Sequence, residues 1–546
     1  MPPKRGRRSR EPEARDDMFT DSDSDDDNAA WTPRGSSKTR NARKRSRSVG
    51  PATAEKPSTP LLVKSPGKRG GRSRSATPAA APASSKRGPV PFERLSLPMP
   101  PLPSERVPKR LVLCGSNALG QLGLGIEALK QGLPPLLHPE RHPWFEAVAE
   151  ESEKGDAKDW ALEQVACGAY HTLVLTSFGS LLSFGVNDNG ALGRNTSPTE
   201  GATTEELETQ PLAIEINTPN FRPTRICAGD SFSLALSDAG ELRFWGSMRS
   251  SDGLLAASPK SKQRITFTPV PIMEAPREPV VSIAAGSDHA ILLTADGHVW
   301  TFGNGQQGQL GRKVIERRKY HGLVPEKLAL GRKSVVIGAG TYTSFAVTKT
   351  GSVFACGLNQ FRQCGVAEKD GGWLDLVTMP TEIRALQPSK HGGARVISIA
   401  GGEHHTLFLL DNGQVWVCGR CDGGELGLSA DHPAIKKQLE VNPEAELEQE
   451  DEKPRQLVCE PVHLANFPQN ERATHVACNG RQSFVRTQSG RLFAFGFSSE
   501  HAFGSAGEHL EEPTEITSRA LSGLSVESVS AGSKHTVVLA SMTTTT

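Results

Sequence analysis

The stretch "GNGQQGQLG" at residues 303–311 sets Gly303, Gly305 and Gly308 in the order G-x-G-x-x-G, the glycine spacing of a dinucleotide-binding turn. Two other constellations invite chemistry. "CGRC" at residues 418–421 is a C-x-x-C pair, and His171, His289, His405 and His535 recur in like surroundings, as metal ligands could. None completes a site. A dinucleotide turn needs an apolar helix directly after it, and "RKVIERRKYHG" at residues 312–322 has no apolar helical face. Zinc at Cys418 and Cys421 would need two more ligands at suitable spacing, and no second pair appears. The expectation is no metal and no cofactor.

The glycines belong to a repeat. "CGAYHTLVLTSFGSLLSFGVNDNGALGR" begins at Cys167, and "AGSDHAILLTADGHVWTFGNGQQGQLGR" at Ala285 matches it in spacing. Further copies begin at Ala228, Ala339, Gly401, Cys478 and Ala531. In each, an apolar run such as "HTLVLT" is followed by a turn such as "ADG" and a second apolar run ending before glycine, which is the pattern of a β-hairpin. Pro-led and Val/Ile-rich stretches upstream supply two more strands per unit. Four-stranded units at this spacing make the blades of a propeller. The last copy stops before its second hairpin strand, and "RLVLCGSNALGQLG" at residues 110–123 supplies the missing half. The fold expected is therefore all-β, a seven-bladed propeller over residues 110–541 closed by pairing of its N- and C-terminal strands, with no free sheet edge. Cys418 falls in the slot held elsewhere by Trp245 and Phe302, so it reads as core packing.

Departures from the repeat locate the working residues. Counted from the first glycine of each copy, the third following position carries the four histidines. On different blades beside a channel, they read better as caps on a backbone group of their own blade than as a metal site. The second position holds Tyr170, Ser231, Asp288, Tyr342, His404, Arg481 and Lys534, so Asp288 is its sole acid. The first holds two acids, Asp230 and Glu403. "MRSSDGLL" at residues 248–255 stands where other copies have G-x-L-G. A run at residues 428–458 forms an acidic insertion between blades.

Charge divides the chain. Of 63 Lys and Arg, 24 lie in residues 1–109 with 12 Asp and Glu, so that segment is +12; the remainder, with 39 and 49, is −10. The Pro-, Ser- and Ala-rich tail cannot bury enough apolar surface to offset its chain entropy, so residues 1–109 and 542–546 read as disordered. Its basic clusters suit nuclear import and DNA or nucleosome contact through Arg43, Lys44, Arg45, Arg47, Lys68, Arg69 and Arg72. Thr32 and Ser65, each before proline, are candidate phosphorylation sites that would lower the tail's charge. Arg317, Arg318 and Lys319, in a basic loop of the body, are further candidates for DNA or a histone acidic patch. The acidic body suits a basic protein surface. Nine cysteines, an odd number and mostly isolated, fit a reducing compartment, and no apolar run approaches a membrane span.

The pattern G-x-x-H-x-x-x-L, G-x-[VL]-x-x-[FW]-G, G-x-[LC]-G resembles the regulator of chromosome condensation family across residues 110–541. That resemblance implies a nuclear, chromatin-bound guanine nucleotide exchange factor for the small GTPase Ran, which does no covalent chemistry and favours the nucleotide-free GTPase. It implies that Asp288 is the key exchange residue and that His404 or His405 is the essential histidine; Asp230, an acid at the same blade mouth, is expected to assist. It implies that one propeller face meets the GTPase and that a wedge of Met248, Arg249, Ser250, Ser251, Asp252, Gly253, Leu254 and Leu255 pushes near its phosphate-binding loop; His171, His289 and His535, near the propeller axis, are further candidates for GTPase contact. The rival reading is a chromatin-binding or scaffolding propeller without exchange activity.

Overall fold

The computed structural model describes residues 95–101, 108–153, 161–255, 263–272, 275–435, 456–465, 467–468, 471–505 and 507–543. All of them belong to one compact unit, Pro89–Thr546. Seven four-stranded antiparallel sheets surround a channel of about 370 Å³, which the innermost strand of every blade lines. The seventh sheet is a composite, as expected. Leu524–Ala531 and His535–Met542 come from the C-terminal end, Lys109–Gly115 and Leu136–Arg141 from the N-terminal end. The closing ladder runs without a break from Lys109 opposite Ser541 to Gly115 opposite His535.

The second strand of each blade is buried almost throughout because neighbouring blades cover both its faces. His171–Thr176 and His289–Thr294 are buried throughout. Cores form between blades: Phe232, Leu234 and Phe244 pack with Ala290, Leu292 and Phe302 of the next. Burying such side chains contributes roughly 1.5–3 kcal/mol each. Cys418 is fully buried in one such cluster, as its slot foretold.

Three expectations change. Residues 95–101, counted with the tail, instead lie along the blade of Val280–Lys327. The Leu97 amide donates to the Ala295 carbonyl at 2.8 Å, and Leu97 and Met99 pack against the cluster that includes Val281, Leu293 and Leu328. Leucine and methionine spaced between prolines give this strap an apolar face that the composition of the tail concealed. The propeller also takes in Lys109 and Met542, one residue beyond each expected end, because the closing strands extend that far. Finally, the insertion is narrower than 428–458. Leu428 and Ile435 are buried in a blade core and Leu457–His463 is an outer strand. Residues 436–455 lie outside the described residues, as do all seven tail cations named above, Thr32 and Ser65.

Candidate functional site at the channel mouth

Each second strand starts at one face of the ring and each third strand returns to it, so that face collects the departures from the repeat. Adjacent register positions have opposite fates there. The position of Asp288 is exposed or half-buried in every blade, whereas that of the histidines is buried in every blade.

The histidines fasten blade to blade. The Nε2 atoms of His171, His289, His405 and His535 lie 2.9, 3.0, 2.7 and 3.0 Å from the hydroxyls of Ser233, Ser344, Ser483 and Thr172, each on the following blade. Each hydroxyl donates in turn to a loop carbonyl of the histidine's own blade, at Ala191, Gln309, Glu425 and Gln121. With the hydroxyl proton so committed, each ring donates from Nε2 and is neutral. Burial pushes His171 and His289 down to about 4, and His405 and His535 to about 3. The repeat's first glycine follows from this: a Cβ at Gly168, Gly286, Gly402 or Gly532 would strike the ring three residues on.

Two expectations from the sequence give way here. The rings of His171, His289, His405 and His535 bond a hydroxyl of the next blade rather than capping a backbone group of their own, and at 0–1 % exposure they present nothing to a docking partner. Of the pair His404 and His405, only His404 reaches the mouth. Its ring packs tilted against Phe361 at a centroid separation of 4.0 Å, with its Nε2 3.9 Å from Glu403.

The stretch at 248–255 is a two-stranded hairpin, Met248–Ser250 paired with Gly253–Leu255. Met248 and Leu255 are not at its working end. Both are buried at its base, and Ser247 Oγ lies 3.2 and 3.1 Å from their carbonyl oxygens. Residues 249–254 project, with Arg249, Ser251, Asp252 and Gly253 exposed. Asp288 seats this hairpin: its Oδ1 accepts the Arg249 amide at 2.5 Å. The third-glycine slot makes room for the seat. Gly303 has a φ of 122°, and a Cβ there would strike the Asp288 carbonyl and crowd the Met248 sulfur.

Carboxyl groups gather at the mouth. Burial, with Asp230 nearby, raises the Asp288 carboxyl to about 7, against the pull of Arg249. Burial likewise raises Asp230 and, with Asp230 adding, Glu403. Tyr342 is pushed up to about 12 by burial and these three carboxylates. Across the mouth the buried Glu425 accepts from Arg481 at 2.5 Å, and Arg420 bonds Asp422 at 2.5 Å while lying over Phe361. Sequence reasoning missed this paired cluster, because Glu425 sits inside an otherwise ordinary G-x-L-G turn. The basic loop also divides. Arg317 and Arg318 are exposed, as a nucleosome contact requires, but Lys319 instead forms an ion pair with Asp252 of the hairpin.

Elsewhere, Glu278, Asp296 and His298 come within 4.8 Å of one another on the opposite face. Lys333 Nζ lies 2.6 Å from His298 Nε2, so a cation already balances the group.

A ring of seven blades, four of its joins clasped by histidine and one blade bearing a hairpin seated over an acidic mouth, defines a repeat-built β-propeller whose departures from the repeat gather on one face. A family model described as the RCC1-like domain matches residues 110–538. The chain belongs to the regulator of chromosome condensation family. It is 31 % identical to protein pim1 of Schizosaccharomyces pombe, over 87 % of this chain and 80 % of that one. It is 32 % identical to the guanine nucleotide exchange factor SRM1 of Saccharomyces cerevisiae, over 74 % and 81 %. The crystal structure of Prp20p from the same yeast, described with its binding to Gsp1p and histones, is 31 % identical. It superposes with a TM-score of 0.68, covering 81 % of this chain and 93 % of that one.

Proposed function

We propose that this protein is a guanine nucleotide exchange factor for Ran, acting in the nucleus on chromatin and imported through its basic tail. The observation that carries the reading is the hairpin at the mouth, seated by Asp288 on a propeller that matches the RCC1-like domain from residue 110 to residue 538 and resembles the exchange factor SRM1. Exchange needs no bond-making residue. The mouth holds the GTPase, the wedge occupies space the bound nucleotide's phosphates require, and the complex is tightest when the nucleotide is gone. Release accelerates by the difference in affinity for the two states. Asp230, Asp288 and Glu403 suit a basic partner surface, while Arg420 and Arg481 are neutralised by Asp422 and Glu425 and add no competing field. Histone and DNA contact is assigned to the tail cations, with Arg317 and Arg318 on the body.

The test is release of a fluorescent GDP analogue from Ran, Ras and Rho proteins by the full chain. Stimulation of Ran by several orders of magnitude, with the others unmoved, is the expected outcome. Equal or absent stimulation across the panel leaves only the scaffolding reading.

A further inference from the structure

A two-stranded hairpin standing alone is marginal in water. The projecting wedge has no core of its own beyond Met248 and Leu255, yet it must push against a folded GTPase. What stiffens its outer end comes from the next blade. The Ser251 amide donates to Gln306 Oε1 at 2.9 Å, and Gln306 Nε2 donates to Ser251 Oγ at 2.7 Å. Lys319, whose side chain is only 16 % exposed, reaches the Asp252 carboxylate at the hairpin turn. Asp288 holds the base, and Gln306 and Lys319 hold the two turn residues at the tip. Each lies 39 to 67 residues beyond the residue it grips.

We propose that Gln306 and Lys319 are positioning residues for exchange, which clamp the wedge tip in the conformation that displaces nucleotide. The clamp rests on the exchange reading above. It assigns the loop of residues 304–323 to the exchange machinery at Lys319, while the exposed Arg317 and Arg318 stay available to chromatin. The physical argument is preorganisation. A tip held before docking does not have to be ordered during it, so the wedge's interactions go into displacing nucleotide. Neither residue needs to touch the GTPase.

The full chain is compared with Lys319→Gln, Asp252→Asn, their double variant, Gln306→Ala and Lys319→Arg, with Lys313→Gln as control. Nucleotide release from Ran gives kcat and the half-saturating Ran concentration. Amide hydrogen exchange of the 248–255 segment gives wedge order without reference to activity. Lys319→Gln and Gln306→Ala should each lower kcat about two- to tenfold, the size of one net hydrogen bond or exposed ion pair. Half-saturation and melting temperature should not move, and wedge amides should exchange faster. Lys319→Arg should restore most of the rate, and the double variant should be no slower than the slower single one, because Lys319 acts only through Asp252. Additive losses would mean that Lys319 touches the GTPase itself, and unchanged wedge protection would mean there is no clamp; either overturns the proposal. A wild-type chain that releases no nucleotide overturns the exchange reading instead, and faster wedge exchange in the variants would still report the clamp.

Discussion

Asp288 shows how two adjacent residues come to face different surroundings. It is adjacent to His289 in sequence, and in all seven copies of the repeat the two positions diverge, one reaching the mouth and the other inside the ring. Counting from the first glycine makes Asp288 stand out, since it is the only acid in its slot. The same count misjudges the histidines, because the hydroxyl each one grips belongs to another blade. Those partners lie 55 to 78 residues away, and 363 for the pair that spans the ring closure, so no local pattern reports them. Asp288→Ala should slow nucleotide release at least tenfold without lowering the melting temperature, because it unseats the Arg249 amide and removes a charge near the partner. A tenfold effect corresponds to about 1.4 kcal/mol, the scale of one charge-assisted hydrogen bond. Asp288→Asn keeps an acceptor oxygen for that amide and loses only the charge, so it should retain more activity than alanine. With its carboxyl raised to about 7, Asp288 loses its charge as pH falls through neutrality. The wild-type kcat/KM should therefore decline from pH 8 to pH 6, and that decline should be absent in Asp288→Asn. Stopped-flow release across this range decides it; an acid limb that survives the asparagine variant belongs to some other group.

At the scale of the element, the G-x-x-H signature is the sequence trace of a clasp between blades. The glycine makes room for the ring, and the ring passes a hydrogen bond to the next blade. The repeat, its strands and its closure were legible because they are periodic. The clasp, the strap of residues 95–101 and the grip of Lys319 on Asp252 were not, because each joins segments that are unrelated in sequence and meet only once the ring is built. The clasp has a pH dependence of definite sign. A buried histidine held neutral refuses protons that the unfolded chain takes up below its ordinary value near 6.5, so stability is intact above that pH and falls as the pH drops toward the native values of about 3 to 4. By pH 5 each such histidine costs about 2 kcal/mol. The raised carboxyls of Asp230, Asp288 and Glu403 work in the opposite sense and offset part of this. One blade already carries Gln482 in the histidine slot, a neutral side chain at every pH. His289→Gln should therefore be less stable than the wild type at pH 8, by about 1–2 kcal/mol for an imperfect fit and a weakened hydrogen bond. That difference should shrink or vanish by pH 5. Urea unfolding at the two pH values measures it, and a difference that grows on acidification would mean the ring is not held neutral.

For the whole molecule, the decisive pairing is the one that closes the ring. Lys109–Gly115 pairs with His535–Met542 along seven consecutive residue pairs, and these two strands form the middle of a blade rather than its rim. Opening that ladder exposes two unpaired edges and uncovers Leu111, Leu113, Val537 and Leu539, all of which are buried between blades. The N-terminal tail has a separate role: it contributes charge, and the strap at 95–101 begins after it. Two truncations should therefore behave in opposite ways. Removing residues 1–94 should leave the melting temperature and the rate of nucleotide release from Ran unchanged, because the strap, the closing strand and the mouth all remain. It should weaken nucleosome binding and flatten its salt dependence, by about 0.9 in the slope of log K against log salt for each phosphate that the tail neutralises. Removing residues 1–115 should abolish the cooperative melt and give an aggregating chain, since it deletes the third strand of a blade and leaves the C-terminal hairpin with an open edge. Calorimetry and salt titrations on the two proteins separate the roles. A 1–94 deletion that keeps the full salt slope would place the DNA contacts on the propeller, at Arg317 and Arg318, and a 1–115 deletion that still melts as one unit would show that the ring does not depend on its closing strand.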